Sequence, residues 1–526
     1  MDNIQSPRKS DHVPLSRRIG WGFGGIAENF MANTLFALGM IIYTTAFYIP
    51  AGIAGLALFV PRLFDAITDP LIGNLSDNFR SRWGRRRPLM FVGVLGCVVI
   101  LPLMWFPPDL HTAEVQPWGV FENPFVLKNW FTFRYNGPFW YIAVLGSIYF
   151  LFYTLFMVPY TALGFELTPD YDERTRVIAW RMYLGLAASM SIPSLYWFCR
   201  QDVFGDGVQG EINGARFVSI VVAMVILLTG LIPVFATREP KEVERQPPIN
   251  IVSAVKSTLS NKPFLVLFIA YIAVIMGIFT AGTVGQFALI YYVFQTAASV
   301  DAAKDHASFL GLVMGVLAAL TSYASMYLIS RLSMLTGKKH GMILGLFLML
   351  AGTLAIWYLY DPNARLNVAG REILLSWGVK ESIAIALVPG VLLATLVGAL
   401  GGQGCWLMID SMTADICDED ELQTGLRREG MFSAVQGFAR KIAFAFTVLV
   451  GGYLIQWIGF DPEAAEKAGG LSKEMSQRML IMLMVCQGGG LALAILVFFF
   501  YPITRERAER TRAELEQRRG AVNPLQ

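Results

Sequence analysis

Long apolar runs alternate with short polar ones from residue 20 to residue 502. A helix that crosses a bilayer needs about 20 apolar residues. On that measure the chain predicts twelve spans, at 20–48, 52–76, 89–107, 138–165, 177–199, 215–236, 263–295, 308–333, 341–360, 384–412, 431–459 and 475–502. Several exceed the minimum, so tilt or extension beyond the bilayer is expected. Continuous apolar runs of this length exclude a membrane barrel, whose strands alternate. The polar remainder divides the chain into an N-tail at 1–19, a six-helix bundle at 20–236, a charged linker at 237–262, a second six-helix bundle at 263–502 and a C-tail at 503–526.

Equal halves about one linker invite a search for a repeat. The segment after the second span, GNLSDNFRSRWGRRRP, is echoed weakly after the eighth by SRLSMLTGKKHG. The segments after the fourth and tenth, ELTPDYDERTR and ADICDEDELQTGLRREG, are read as loops that set acids ahead of arginines. Two related six-helix halves describe one transporter architecture, with its site near the middle of the bilayer between the halves. The expected fold class is therefore an all-α membrane protein of twelve helices in two pseudo-symmetric bundles.

Composition agrees. Only 15% of the 526 residues are charged, against about 25% in soluble domains. Lys and Arg gather in both tails, in the linker and after the second span, where Arg80, Arg82, Arg85, Arg86 and Arg87 crowd together. The positive side faces the cytoplasm, so both termini are expected inside, and a bacterial inner membrane is the expected location. The loop 108–137 is then external. The N-terminus has no apolar stretch ahead of a cleavage site, so the first span is expected to be retained.

Enzyme chemistry finds no foothold. GxSxG, HExxH and Walker A patterns are lacking, and the five cysteines have no metal spacing. The histidines, His12, His111, His306 and His340, are placed in tails or loops, away from any buried ligand role. No catalytic residue and no metal beyond a coupling ion is expected. The glycine-rich GWGFGG at 20–25 opens a span and is assigned to close helix packing.

Charges inside spans are costly and mark a cavity, a partner or a pathway. The second span holds Arg62, Asp65 and Asp69, with Thr68 beside them. At about 100° per residue, positions 65 and 69 lie roughly 40° apart, with Arg62 between them in projection. Two carboxylates on one stripe repel, and a small cation with oxygen ligands relieves them. The bland alternative is an ion-pair network with Arg62. Further polar candidates are Glu28 and Asn29 in the first span, Thr154 in the fourth, Arg181 in the fifth, and Trp406 and Asp410 in the tenth. Arg440 and Lys441 lie about three turns past the loop before the eleventh span, too deep to snorkel from that end. On the tail side, Asp77, Arg85, Arg86, Glu166, Asp170, Asp415, Asp418 and Arg427 are expected to form a cytoplasmic gate, latching the halves by ion pairs.

These residues resemble the glycoside–pentoside–hexuronide:cation symporter family of the major facilitator superfamily. The resemblance is carried by RLFDAITDPLIGNLSDNFRSRWGRRRP at 62–88, VPYTALGFELTPDYDERTR and ADICDEDELQTGLRREG. It implies a cation site, for Na+ or H+, at Asp65, Asp69, Thr68 and Thr154. It also implies a solute site that includes Arg181 and Trp406, with Lys441 near both. The chain departs from the family at Asn29 and Met157, where aspartates hold a galactoside, and at Thr161, where a tryptophan stacks. Glu28 and Asp410 are acids available to rebuild that site, with Arg62 beside it.

The resulting expectation is a secondary active transporter. It would couple a cation to a small organic solute, a glycoside or sugar derivative, by alternating access. A lysophospholipid-type amphiphile is the alternative cargo, and a non-transporting sensor or scaffold the alternative class. Expected partners are the solute and the lipid bilayer, with no nucleic acid, and the chain is expected to work as a monomer.

Overall fold

The computed structural model describes residues 13–106, 137–168, 171–237, 258–361, 365–368, 371–374, 388–425 and 428–522. The described residues are helical almost throughout. In order it forms α1 (Leu15–Gly22), α2 (Gly24–Thr45), α3 (Ala51–Asn78), α4 (Arg87–Leu103), α5 (Gly137–Glu166), α6 (Tyr171–Ser189), α7 (Ser194–Cys199) and α8 (Gly207–Ala236). There follow α9 (Lys262–Ala288), α10 (Val300–Thr336), α11 (Lys338–Leu359), a small antiparallel hairpin of β1 (Arg365–Val368) and β2 (Arg371–Leu374), and α12 (Pro389–Thr424). The chain closes with α13 (Glu429–Trp457), α14 (Pro462–Lys467), α15 (Lys473–Phe499) and α16 (Arg505–Val522).

Among the described residues, ten helices are long and apolar enough to cross a membrane, counting α1 and α2 as one. A shorter apolar helix, α4, and the pair α6–α7 stand at the third and fifth expected spans. The expected outer loop falls outside the described residues except for Gly137, as does the linker except for Thr237 and 258–262.

The chain divides into two compact units. Unit 1 is Met1–Arg245 with Gly452–Ala468, and unit 2 is Gln246–Gly451 with Gly469–Gln526. One packing order recurs inside each. In unit 1, α2 packs on α8, α3 on α5, and α4 on both α5 and α8. In unit 2, α9 packs on α15, α10 on α12, and α11 on both α12 and α15. The faint sequence echo between the halves is thus matched by a repeated order of helix contacts.

Three expectations need correction. The fifth span is not one helix: α6 ends at Ser189, and a run of tight turns leads to Pro193 and α7. Proline has no N–H to give the carbonyl four residues back, so the α pattern breaks there. The acidic segment after the tenth span is not a loop. Asp415, Asp418 and Asp420 ride on α12, which continues to Thr424 and stops at Gly425, whose φ of 69° lies in the left-handed region. Glu, Gln, Leu and Ala in that segment favour helix, and glycine takes the left-handed cap without strain. Finally, His306 and His340 sit on α10 and α11 rather than in loops, with His340 exposed and bonded to the Thr336 carbonyl. His12 and His111 lie outside the described residues.

Candidate functional site

Close packing of α2 on α6 sets one polar pair of unit 1. A Cβ on Gly25 would sit 2.6 Å from the Arg181 carbonyl oxygen, so only glycine lets α6 approach so near. One turn further along α2, Glu28 meets the Arg181 side chain. The guanidinium donates to both carboxylate oxygens, from Nε at 2.9 Å and from Nη2 at 2.7 Å. Arg181 also stands over the Tyr160 ring, 5.5 Å from its centroid. Tyr160 is fixed in turn by stacking on Trp21 and by donating to the Trp21 carbonyl at 2.9 Å. The GWGFGG segment thus does pack closely, and through Gly25 it positions a charged pair.

The second-span stripe lies on α3. Asp65 is 1% exposed. Thr154, buried on α5, donates its hydroxyl to Asp65 Oδ1 at 2.7 Å. Thr68 is also buried, and its hydroxyl bonds back to the Asp65 carbonyl at 3.1 Å. Asp69 is half-buried one turn on. Arg62, one turn before Asp65, stays within its electrostatic reach. Its guanidinium donates to the Ala32 carbonyl and covers the Phe150 ring at 4.4 Å. The stripe therefore presents oxygen atoms of Asp65 and Thr154 together, while its own arginine is held by a backbone carbonyl and an aromatic face.

Other expected positions are spent locally. The Thr161 hydroxyl donates to the Met157 carbonyl at 2.9 Å, as a mid-helix threonine commonly does. Asn29 donates to the Gly25 carbonyl at 3.2 Å, and Asn33 to the Asn29 carbonyl at 3.0 Å. In unit 2, Trp406 is half-buried on α12 between Tyr271 and Phe279 of α9. Asp410, one turn along, is exposed, and Lys441 on α13 is half-buried.

The charged residues at the helix ends pair within each unit. Arg85 and Arg86 both reach Glu166 Oε1, at 2.9 Å and 2.5 Å, and Arg86 lies 3.4 Å from Asp77. These contacts tie the start of α4 to the ends of α3 and α5. Unit 2 repeats the arrangement. Lys338, at the start of α11, lies 2.7 Å from each carboxylate oxygen of Asp415 on α12. The GKKHG echo of the arginine turn thus has a physical counterpart, a cation opening the third helix and an acid on the fourth. Sequence reasoning missed Lys338, although the echo was the signal for it. It also missed Arg18 with Glu173, 2.9 Å apart between α1 and α6. Arg428 grips Asp420 from Nε at 2.8 Å, a contact that raises the arginine's affinity for its proton. Asp418 is half-buried on the same helix, while Asp170 and Arg427 lie outside the described residues.

A family model described as MFS/sugar transport protein matches residues 20–505. The chain belongs to that family. Its members are transporters, and the chain is a multi-pass membrane protein with their fold. It is 26% identical over 570 residues to an uncharacterized symporter of Synechocystis sp., covering 97% of this chain and 98% of the relative. It is 24% identical over 511 residues to a putative glycoside/cation symporter of Escherichia coli, covering 97% and 96%. Among solved structures, a bacterial homologue of the human lysosomal transporter Spinster superposes with a TM-score of 0.58 at 12% identity, covering 94% of this chain and 96% of that one. At that identity the superposition speaks for the fold alone.

Proposed function

We propose that the protein is a symporter that couples Na+ or H+ to the uptake of a small organic solute, a glycoside or sugar derivative, by alternating access. One observation carries the coupling claim: Asp65, buried at 1% exposure, faces the Thr154 hydroxyl at 2.7 Å. A carboxylate buried this deeply is costly to keep ionised without a cation. A bound Na+ would take the Asp65 and Thr154 oxygens as ligands, with Asp69 and Thr68 completing the set. A proton would neutralise Asp65 directly. Either way, filling the site removes a buried negative charge from α3 and favours whichever state of the transporter excludes water from it. The solute has the same kind of preference, so each ligand strengthens the other's binding.

On this reading the solute meets the Arg181 and Glu28 pair of the first bundle. The two bundles, 20–236 and 263–502, are the moving bodies, joined through 237–262. Ion pairs such as Glu166 with Arg85 and Arg86 brace each bundle so that it moves as a unit. The relatives described as symporters and as a glycoside/cation symporter support this assignment of cargo and coupling. Uptake of radiolabelled glycosides into proteoliposomes, under imposed Na+ or H+ gradients, tests the proposal. Uptake should rise with one of the two gradients, and transport indifferent to both would refute it.

A further inference from the structure

We propose that the turn between α3 and α4 binds the headgroup of an anionic phospholipid, with Arg80 and Arg82 on its phosphate and Trp83 beside its glycerol. The proposal stands apart from the cation and solute sites. Five arginines and one aspartate lie between Asp77 and Arg87. Three of the five are spent on the protein itself. Arg85 and Arg86 share Glu166, and Arg87 donates to the Val234 carbonyl at 2.5 Å. Arg80 and Arg82 are exposed, and among the described residues neither has an ion-pair partner within 4.0 Å. An exposed arginine is more often simply solvated, so the surroundings must choose the partner.

The turn is held in one shape. The Ser81 hydroxyl accepts the Trp83 N–H at 3.1 Å and donates to the Gly84 carbonyl at 2.6 Å. Gly84 takes a φ of 107°, which glycine adopts without strain. Trp83 is left 54% exposed at the start of α4. Its ring meets Phe91 edge-on at 6.0 Å, and Phe91 meets Phe235 of α8 edge-on at 6.5 Å. Beyond these rings runs an apolar wall within unit 1. α4 packs on α8, and both leave large apolar side chains exposed: Val92, Val99 and Leu103 on α4, Met224, Leu228 and Phe235 on α8. Spacings of four and seven residues put each set on one face of its helix. Such a face on an apolar span lies against acyl chains. Trp83 stands at the arginine-rich end of the wall, and tryptophan favours the layer between headgroups and acyl chains. A lipid whose chains lie on the wall brings its phosphate to Arg80 and Arg82. A guanidinium fork matches phosphate oxygens, and arginines at the membrane surface favour anionic lipids. A soluble anion would use the arginines without the wall. A zwitterionic lipid would use the wall, but its own ammonium offsets the gain in charge.

The test is native mass spectrometry of the purified, delipidated full-length protein. The probes are palmitoyl-oleoyl phosphatidylglycerol and phosphatidylcholine with the same chains. Phosphatidylglycerol should bind about ten-fold tighter. Arg80→Gln with Arg82→Gln should weaken phosphatidylglycerol about ten-fold and leave phosphatidylcholine within about two-fold. The retained phosphatidylcholine then reports an intact fold. Arg510→Gln with Arg512→Gln, the same charge change on exposed arginines of α16, should keep the preference. Trp83→Ala should weaken both lipids. Equal binding of the two lipids overturns the site, as does a preference that survives the first double variant or is lost equally in the second. Lipid binding untouched by Trp83→Ala also overturns it. Displacement of phosphatidylglycerol by glycerol phosphate at equal concentration would make this a site for a soluble anion and overturn the lipid assignment.

Discussion

At the scale of single residues, the informative contrast is between Asp65 and Arg62, three positions apart on α3. Projection on a helical wheel set them on one stripe, where a bound cation was expected and an ion-pair network with Arg62 was the alternative. The Arg62 guanidinium donates to the Ala32 carbonyl and covers the Phe150 face, while staying within electrostatic reach of Asp65. Asp65 receives a neutral hydroxyl from Thr154, a donor that turns its lone pairs to a cation without moving. A hydrogen bond to a charged group contributes about 1.5–3 kcal/mol. Thr154→Val, which keeps the shape and removes the oxygen, should therefore raise the cation concentration for half-maximal uptake by about ten-fold or more. The measurement is initial uptake rate against cation concentration, and an unchanged half-saturation point would remove Thr154 from the site. The Asp65 and Thr154 partnership was foreseen only through family resemblance. Wheel geometry gives the direction in which a side chain leaves its helix, while a long side chain such as Arg62 chooses its endpoint from tertiary neighbours.

Among elements, the spans were readable because the bilayer imposes a length on them, about 20 apolar residues, that a chain cannot hide. Errors came where another rule competed. Pro193 divides the fifth span, and helix-forming acidic residues carry α12 past the apolar run to Gly425. The approach of α2 to α6 belongs to this scale as well. Gly25 permits it, and the Glu28–Arg181 pair depends on it. Gly25→Val would force its side chain against the Arg181 carbonyl. Overpacking of that kind typically costs about 1–3 kcal/mol. We expect a lower thermal midpoint in detergent and weakened solute binding together. Gly73→Ala, whose new Cβ would stand 3.9 Å from Val158, is the fitting control and should leave both unchanged. Loss of stability without any effect on solute binding would separate the helix packing from the site.

For the whole molecule, the repeated helix order in the two units and the paired braces, Arg86 with Glu166 and Lys338 with Asp415, give each bundle the same internal framework. Only a trace of this was visible in sequence, because a repeat of packing needs the same spacing of small and large residues rather than the same residues. The central claim is that charge on Asp65 links cation and solute. Its most direct measurement sets two modes of transport side by side in proteoliposomes bearing wild-type protein or Asp65→Asn. Exchange of labelled solute at equal concentrations needs only the carrier's motion, whereas accumulation against a gradient needs coupling. The account predicts that Asp65→Asn keeps exchange and loses cation-driven accumulation. Full accumulation in Asp65→Asn would contradict it.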